Sequence, residues 1–189
     1  REKFWHRNCV AIGLSAGFLE PLEASALVLV EISANMIAEQ FPASRAAMDV
    51  VARRFNDTFR YRWDRIIDFL KLHYVLTKRT DSRFWIDNCA RETIPESLQE
   101  LLTLWRYQPP WHDDFDRAVE VFPAASYQYV LYGMGFHTES NAFGLSNAYR
   151  EQAQQLIQQK NRATQQLFNS LEKHRDLINK ICQYGLQRI

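Results

Sequence analysis

The chain is poor in the short motifs that mark most catalytic and metal sites. Its five histidines, His6, His73, His112, His137 and His174, are far apart, and none belongs to an HxxxH or HExxH pair. No CxxC occurs, so no metal site is expected. Three cysteines, Cys9, Cys89 and Cys182, are an odd number without paired spacing. They read as reduced thiols of a cytoplasmic protein. There is no GxSxG elbow, no Walker loop and no complete GxGxxG, so the chain alone makes no case for hydrolase or nucleotide-binding chemistry. Long apolar runs are also missing: residues 26–32 are apolar but short, and Glu31 interrupts them. No membrane span and no signal peptide are expected. A net charge of +1 gives no electrostatic case for nucleic acid or an anionic membrane. Neither an internal repeat nor a low-complexity tract appears.

What is present is aromatic and helical. Aromatics make up 13% of the 189 residues, enough for an aromatic-rich core in a single domain. Residues 8–26 read NCVAIGLSAGFLEPLEASA and carry the densest information. An apolar run, Cys9 to Gly13, predicts a buried strand. Leu14-Ser15-Ala16-Gly17 predicts a tight loop, and Pro21 suits the first turn of a helix. Such a loop aims unpaired N–H groups and the positive end of a helix dipole at whatever faces it, which favours an anion. A strand without a partner strand, in a chain opening on Arg1, reads as the cut edge of something larger.

From Leu22 the pattern is apolar almost all round, predicting a buried helix to about Gln40 that ends at Phe41-Pro42. Ser44 is the expected N-cap of a long helix over 45–78. Along it Met48, Val51, Phe55, Phe59, Trp63, Ile66 and Leu70 step by three and four without Gly or Pro. Its arginines alternate with Asp57, Asp64 and Asp68, which reads as a salt-bridged, solvated face. A short helix carries Phe84 to Ile86, and Thr93 is the expected cap of a helix through Leu98 and Trp105. An acidic loop then holds Trp111 and His112, and Phe122-Pro123 opens a helix over 124–132. One amphipathic helix over 148–183 carries Leu156, Ile157, Ala163, Leu167, Phe168, Leu171, Leu177, Ile178 and Ile181 as a packing stripe. The fold class is therefore mainly α, with one N-terminal strand.

Glu20 and Glu23 are the candidate reactive groups. Either could simply complement a helix start, worth about 0.3–1 kcal/mol when exposed. A carboxylate at the buried start of an apolar helix is costly unless paired or employed, which singles out Glu23.

The stretch NCVAIGLSAGFLEPLEASALVLVE strongly resembles the signature in the catalytic half of flavin-dependent tryptophan halogenases, close to NCVAIGLSxGFxEPLESTG. DFLKLHYVLTKRTDSRFW (68–85) resembles the family's HY…RxDxxFW segment, and SYQYVLYGMGF (126–136) its YYCxLAGLG segment. The last helix is generic. The resemblance implies reduced FAD, delivered by a separate flavin reductase, and chloride or bromide oxidised to hypohalous acid that reaches an aromatic, indole-like substrate. Glu23 matches the glutamate that assists substitution, and Glu20 is left a structural part. Ser25 and Ala26 match the positions whose backbone amides bind halide. Gly13, Ser15, Gly17, Pro21 and Ala24 would face the flavin, and Phe122 and Ser126 the substrate. The implied division is a strand and flavin-facing loop over 1–21, the edge of an FAD domain, and a helical substrate side over 22–189.

The chain departs from the family pattern in three ways. Glu23-Ala24-Ser25-Ala26 stands where the family has EST-G, so a side-chain contact at Ala24 is lost. Where enzymes acting on free tryptophan carry ExxxFWxxxN, this chain has Arg117, Val121, Phe122 and Ser126, which argues against free tryptophan as substrate. The flavin-binding GxGxxG, the catalytic lysine region and WxWxIP are missing, so the chain alone is expected to be inactive. The missing FAD-binding region then counts as a partner, and a homodimer is left open. Two other readings stand beside this one: a non-catalytic helical binding or assembly module, and a hydroxylating flavin monooxygenase.

Overall fold

A computed structural model describes residues 1–20, 22–115, 120–139 and 147–186. The chain divides into two compact units, Arg1–Ser140 and Asn141–Ile189.

The first unit begins with a two-stranded antiparallel hairpin. Strand β1 (Trp5–His6) pairs with β2 (Cys9–Val10) in the register Trp5↔Val10, His6↔Cys9. The strand expected alone over 9–13 is thus two residues long, and its partner comes from the stretch read as a lead-in. Arg7, at φ 55, makes the reversal. Cys9 is exposed and Val10 half-buried, so the strand is not the buried one its composition suggested.

Helix α1 (Ser25–Glu39) follows a 3-10 turn over Leu22–Ala24. Helix α2 (Arg45–Val75) is the backbone of the unit. Its start is capped as expected, Ser44 Oγ accepting from Ala47 N at 3.2 Å. The apolar steps of α2 form the core stripe: Phe55 and Phe59 stack at 4.3 Å, and Ile66, Phe69, Leu70 and Leu72 are buried. Asn56 ties the hairpin to this helix, its Oδ1 accepting from Phe4 N and Trp5 N at 2.7 and 2.8 Å. Its Nδ2 donates to Trp5 O at 2.9 Å.

Helices α3 (Arg83–Cys89), α4 (Glu96–Trp105) and α5 (Ala124–Gly133) complete the unit. Thr93 does not cap α4. Pro95 occupies that position, and Thr93 Oγ1 turns back to Ala90 O at 2.7 Å. Trp105, Tyr127 and Phe69 are fully buried and join α4, α5 and α2. Trp105 meets Tyr127 at 5.4 Å and Phe69 meets Tyr127 at 4.9 Å.

One position on the supposedly solvated face of α2 is buried. Asp68 is 1% exposed, pairs with Arg65 at 2.6 Å and accepts from Ser97 Oγ at 2.8 and 3.0 Å. The sequence pattern hid it because α4 packs over this part of the helix and brings Ser97 with it. Burial pushes the Asp68 carboxyl above the usual range, against the pull of Ser97 and Arg65.

In the second unit, α6 (Asn147–Ser170) and α7 (His174–Tyr184) replace the single helix expected over 148–183. Ser170 Oγ donates back to Leu167 O at 2.8 Å, Lys173 takes an extended conformation (φ −61, ψ 138), and α7 restarts with Leu177 N on Lys173 O. No Gly or Pro marks this break, so side-chain patterning could not reveal it.

Candidate functional site

The loop between hairpin and α1 folds tightly. Gly13–Ser15 forms a 3-10 turn with Gly13 at φ 56, a left-handed value that suits glycine. Ser15 Oγ donates to Ile12 O at 2.7 Å and accepts from Ile12 N at 3.0 Å, closing the turn. The amides of Ala16 and Gly17 fold back onto Gly13 O. Those donors, expected to face outward, are therefore used within the loop.

Gly17 lies against Trp63 of α2. A Cβ built there would sit 2.5 Å from the indole ring, so the close approach requires glycine. Gly17→Ala should push the loop off α2 and destabilise the chain by about 1–3 kcal/mol, read as a lowered denaturant midpoint. An unchanged midpoint would mean that the loop is free of α2 in solution.

Past the loop, Glu20 accepts from Tyr74 Oη at 3.0 Å. Burial first, and the Glu20 carboxylate second, push the Tyr74 phenol up. Glu20 thus has a structural partner, whereas no described residue hydrogen-bonds or ion-pairs with Glu23. Glu23 and Ala24 both adopt left-handed backbone, φ 61 and 52. Such strain in non-glycine residues costs about 1–3 kcal/mol each and concentrates at functional sites. It also moves the helix start: α1 begins at Ser25 instead of Leu22, and the Glu23 side chain lies in the turn before it. Pro21 and Arg117 lie outside the described residues.

The expected burial of Glu23 and of α1 is overturned within this chain. Glu23 is exposed, and α1 buries only Ser25, Leu29 and Ser33, one narrow row. Leu14, Phe18 and Leu27 are 82%, 76% and 76% exposed. No described residue covers them. They surround an apolar cavity of about 260 Å³ lined by Gly17, Phe18, Leu27, Val30, Phe59 and Trp63, among others.

At the start of α1 no side chain caps the helix, and Ser25 Oγ is buried without a partner; a helix start of this kind favours an anion. Chemically this set fits a halide: a hydroxyl and amides beside a left-handed turn whose carboxylate stands next to them. Ser25 is buried and Ala26 exposed, two and three residues after Glu23. Among the described residues there is no cluster of His, Cys, Asp or Glu able to hold a metal, and no helix long and apolar enough to cross a membrane.

The two residues expected on the substrate side, Phe122 and Ser126, sit elsewhere in the unit. The Phe122 ring is 7% exposed and stacks on Phe69 at 4.0 Å. Ser126 is half-buried in the first turn of α5, its amide bonded to Pro123 O at 2.8 Å. Phe122 is thereby tied to the core. The residues that composition reasoning missed are Asn56, Trp63 and Tyr74. Trp63 carried a signal as a member of the α2 stripe and Tyr74 as the tyrosine of the HY…RxDxxFW segment, but nothing showed that they would meet Gly17 and Glu20.

A mainly helical chain with an uncapped, anion-ready helix start behind a glycine-bearing loop is the class of site this fold defines. Residues 1–148 match the family model for tryptophan halogenases, and the chain belongs to that family. It is 34% identical over 134 residues to the tryptophan 6-halogenase SttH of Streptomyces toxytricini, covering 71% of this chain and 25% of that protein. Among solved structures, the tryptophan halogenase of Shewanella frigidimarina matches with a TM-score of 0.92 and 45% identity, over 100% of this chain and 36% of that one. BrvH, a flavin-dependent halogenase from Brevundimonas, matches with a TM-score of 0.75 and 32% identity, over 95% of this chain and 35% of that one. The chain thus spans a quarter to about a third of the length of these relatives.

Proposed function

We propose that this chain is the helical, substrate-side part of a flavin-dependent halogenase that chlorinates or brominates an aromatic, indole-like substrate. The observation that carries the reading is the pairing of an uncapped α1 start, with its orphaned Ser25 hydroxyl, and a Glu23 carboxylate without a hydrogen-bond or ion-pair partner among the described residues. Reduced FAD, delivered by a flavin reductase and held mainly by a separate flavin-binding region, would supply with oxygen the oxidising equivalents that convert halide to hypohalous acid.

This chain's residues do the rest of the local work. The amides of Ser25 and Ala26 would hold the halide, favoured by the dipole of α1. Gly13, Ser15 and Gly17 of the tight loop, with Ala24 at the start of α1, would line the side of the chain that meets the flavin. Residues 1–21 would form the edge of the flavin region, and 22–189 the substrate side. Covering Leu14, Phe18 and Leu27 with that region would remove water from around Glu23 and strengthen its interactions. On the substrate, a ring carbon takes the halogen from hypohalous acid as its O–X bond breaks; the ring C–H bond then breaks, the Glu23 carboxylate accepts that proton, and the departing hydroxide leaves as water. Phe122 and Ser126 would shape the substrate side, Phe122 through its stack on Phe69. Arg117, standing where a carboxylate would grip an ammonium, disfavours free tryptophan.

The test uses a halogenase-length protein containing this chain, with reductase, FAD and an indole library. Mass spectrometry should find products heavier by one halogen, formed only when chloride or bromide is present. Products carrying added oxygen, independent of halide, would make the protein a hydroxylating monooxygenase instead.

A further inference from the structure

The HY…RxDxxFW segment takes no part in the chemistry above, yet the structure draws its residues together around one ring. Tyr74, in the last turn of α2, meets Phe84 edge-on at 5.9 Å and Trp85 at 6.1 Å. Phe84 and Trp85, in the first turn of α3, pack edge-on against each other at 5.1 Å. The Arg79 guanidinium lies over the Trp85 ring at 4.2 Å and donates to both oxygens of Asp81, at 3.0 and 2.7 Å. His73, the remaining member, bonds within its own helix, Nδ1 lying 2.8 Å from Phe69 O. Edge-on contacts of this kind are the favoured arrangement of aromatic pairs, so they hold the Tyr74 ring in one orientation. Its hydroxyl then donates to Glu20 at 3.0 Å.

Glu20 precedes Glu23 by three residues, with Pro21 between them, whose ring fixes its own φ. Glu23 and Ala24 hold left-handed backbone without being glycine. Strain of that sort persists only where the surroundings over-determine it. Downstream, the turn enters α1 at the buried Ser25. Upstream, Leu19 and Leu22 pack against the core, but apolar contact has no direction. Among the described residues, the Tyr74–Glu20 bond is the one side-chain hydrogen bond made by residues 18–20 and 22–24. Glu20 is exposed, so the bond adds modestly to stability. What it supplies is orientation.

We propose that Tyr74, braced by Phe84 and Trp85, is a positioning residue: through Glu20 it holds the left-handed turn that aims the Glu23 carboxylate at the substrate ring. This rests on the reading that Glu23 accepts the ring proton.

The test uses single turnovers of a halogenase-length protein containing this chain, with reduced flavin supplied. Tyr74→Phe keeps the ring and removes only the donor. Glu20→Ala removes the acceptor from an exposed position and leaves the core intact. A reacting group displaced by about 1 Å can lose on the order of a hundredfold in rate, so each variant should lower the halogenation rate by about tenfold or more. KM for the substrate and flavin affinity should not change, and Glu20→Gln, which keeps an acceptor, should restore the rate. In a Glu23→Gln background both losses should shrink below about twofold, because no base remains to be aimed. Equal losses in the two backgrounds, or a wild-type rate in Tyr74→Phe, would overturn the proposal. Full turnover in Glu23→Gln alone would remove the base, and the proposal with it. Hydrogen exchange reads the turn without turnover: Tyr74→Phe and Glu20→Ala should speed exchange of amides 22–26, and unchanged exchange there would also overturn the proposal. A turn loosened in this way, in a protein whose wild type never halogenates, supports the holding and sinks only the halogenase.

Discussion

Glu23→Gln, made in a halogenase-length protein containing this chain, is expected to lower halogenation by about 10²–10⁴-fold with flavin affinity unchanged. The substitution keeps the shape of the side chain and its tolerance of the left-handed turn at φ 61. It removes only the charge and the proton-accepting oxygen. Glu20 serves as the internal comparison, since its carboxylate is engaged by Tyr74. Glu20→Gln keeps an acceptor for that phenol and should leave turnover within a few-fold of wild type. Single-turnover assays with reduced flavin supplied would separate chemistry from flavin delivery. Unchanged turnover in Glu23→Gln would remove this residue from the mechanism and leave the strained turn without a chemical purpose.

The second large effect concerns stability. Asp68→Ala should destabilise the chain by about 3–5 kcal/mol, because it leaves the mostly buried Arg65 without its counter-charge. Arg65 Nε is already buried without a partner. Replacing both residues together, Asp68→Leu with Arg65→Met, should recover most of that loss, since neither desolvated charge remains. Failure of the double variant to recover would place the cost in the lost Ser97 contacts instead. The pH dependence has a definite sign. The folded carboxyl binds its proton more tightly than the unfolded one, so this group favours folding most below the ordinary value near 3.8. That contribution is lost as pH rises from there through the raised folded value, and is flat above it. Asp68→Asn should abolish this fall, as measured by denaturant titrations across the acid range.

Much of the helical frame was legible. Helix α2 declared itself by 31 residues without Gly or Pro and by a serine cap that the structure places as read. The signature around Glu23 was legible because spacing survives in a linear string. Less visible was anything that depends on a distant neighbour. Asp68 looks like its solvated companions Asp57 and Asp64 until α4 brings Ser97 to it. The hairpin rests on a two-residue pairing and a non-glycine residue at positive φ, neither of which leaves a pattern in composition. Glu23 looked buried because α1 is apolar all round, but burial depends on a covering surface, and this chain supplies none among its described residues.

Helix α2 also acts as a ruler for the N-terminal segment. Asn56 pins that segment at Phe4 and Trp5, and Tyr74 pins it again at Glu20. The two pegs are 18 positions apart on one unbroken helix, about 27 Å at 1.5 Å per residue. A span fixed by a rigid rod tolerates little change in the length of what is strung along it. Insertions or deletions between residues 6 and 19 would have to be absorbed by the hairpin or the Gly13 turn, because neither peg can slide.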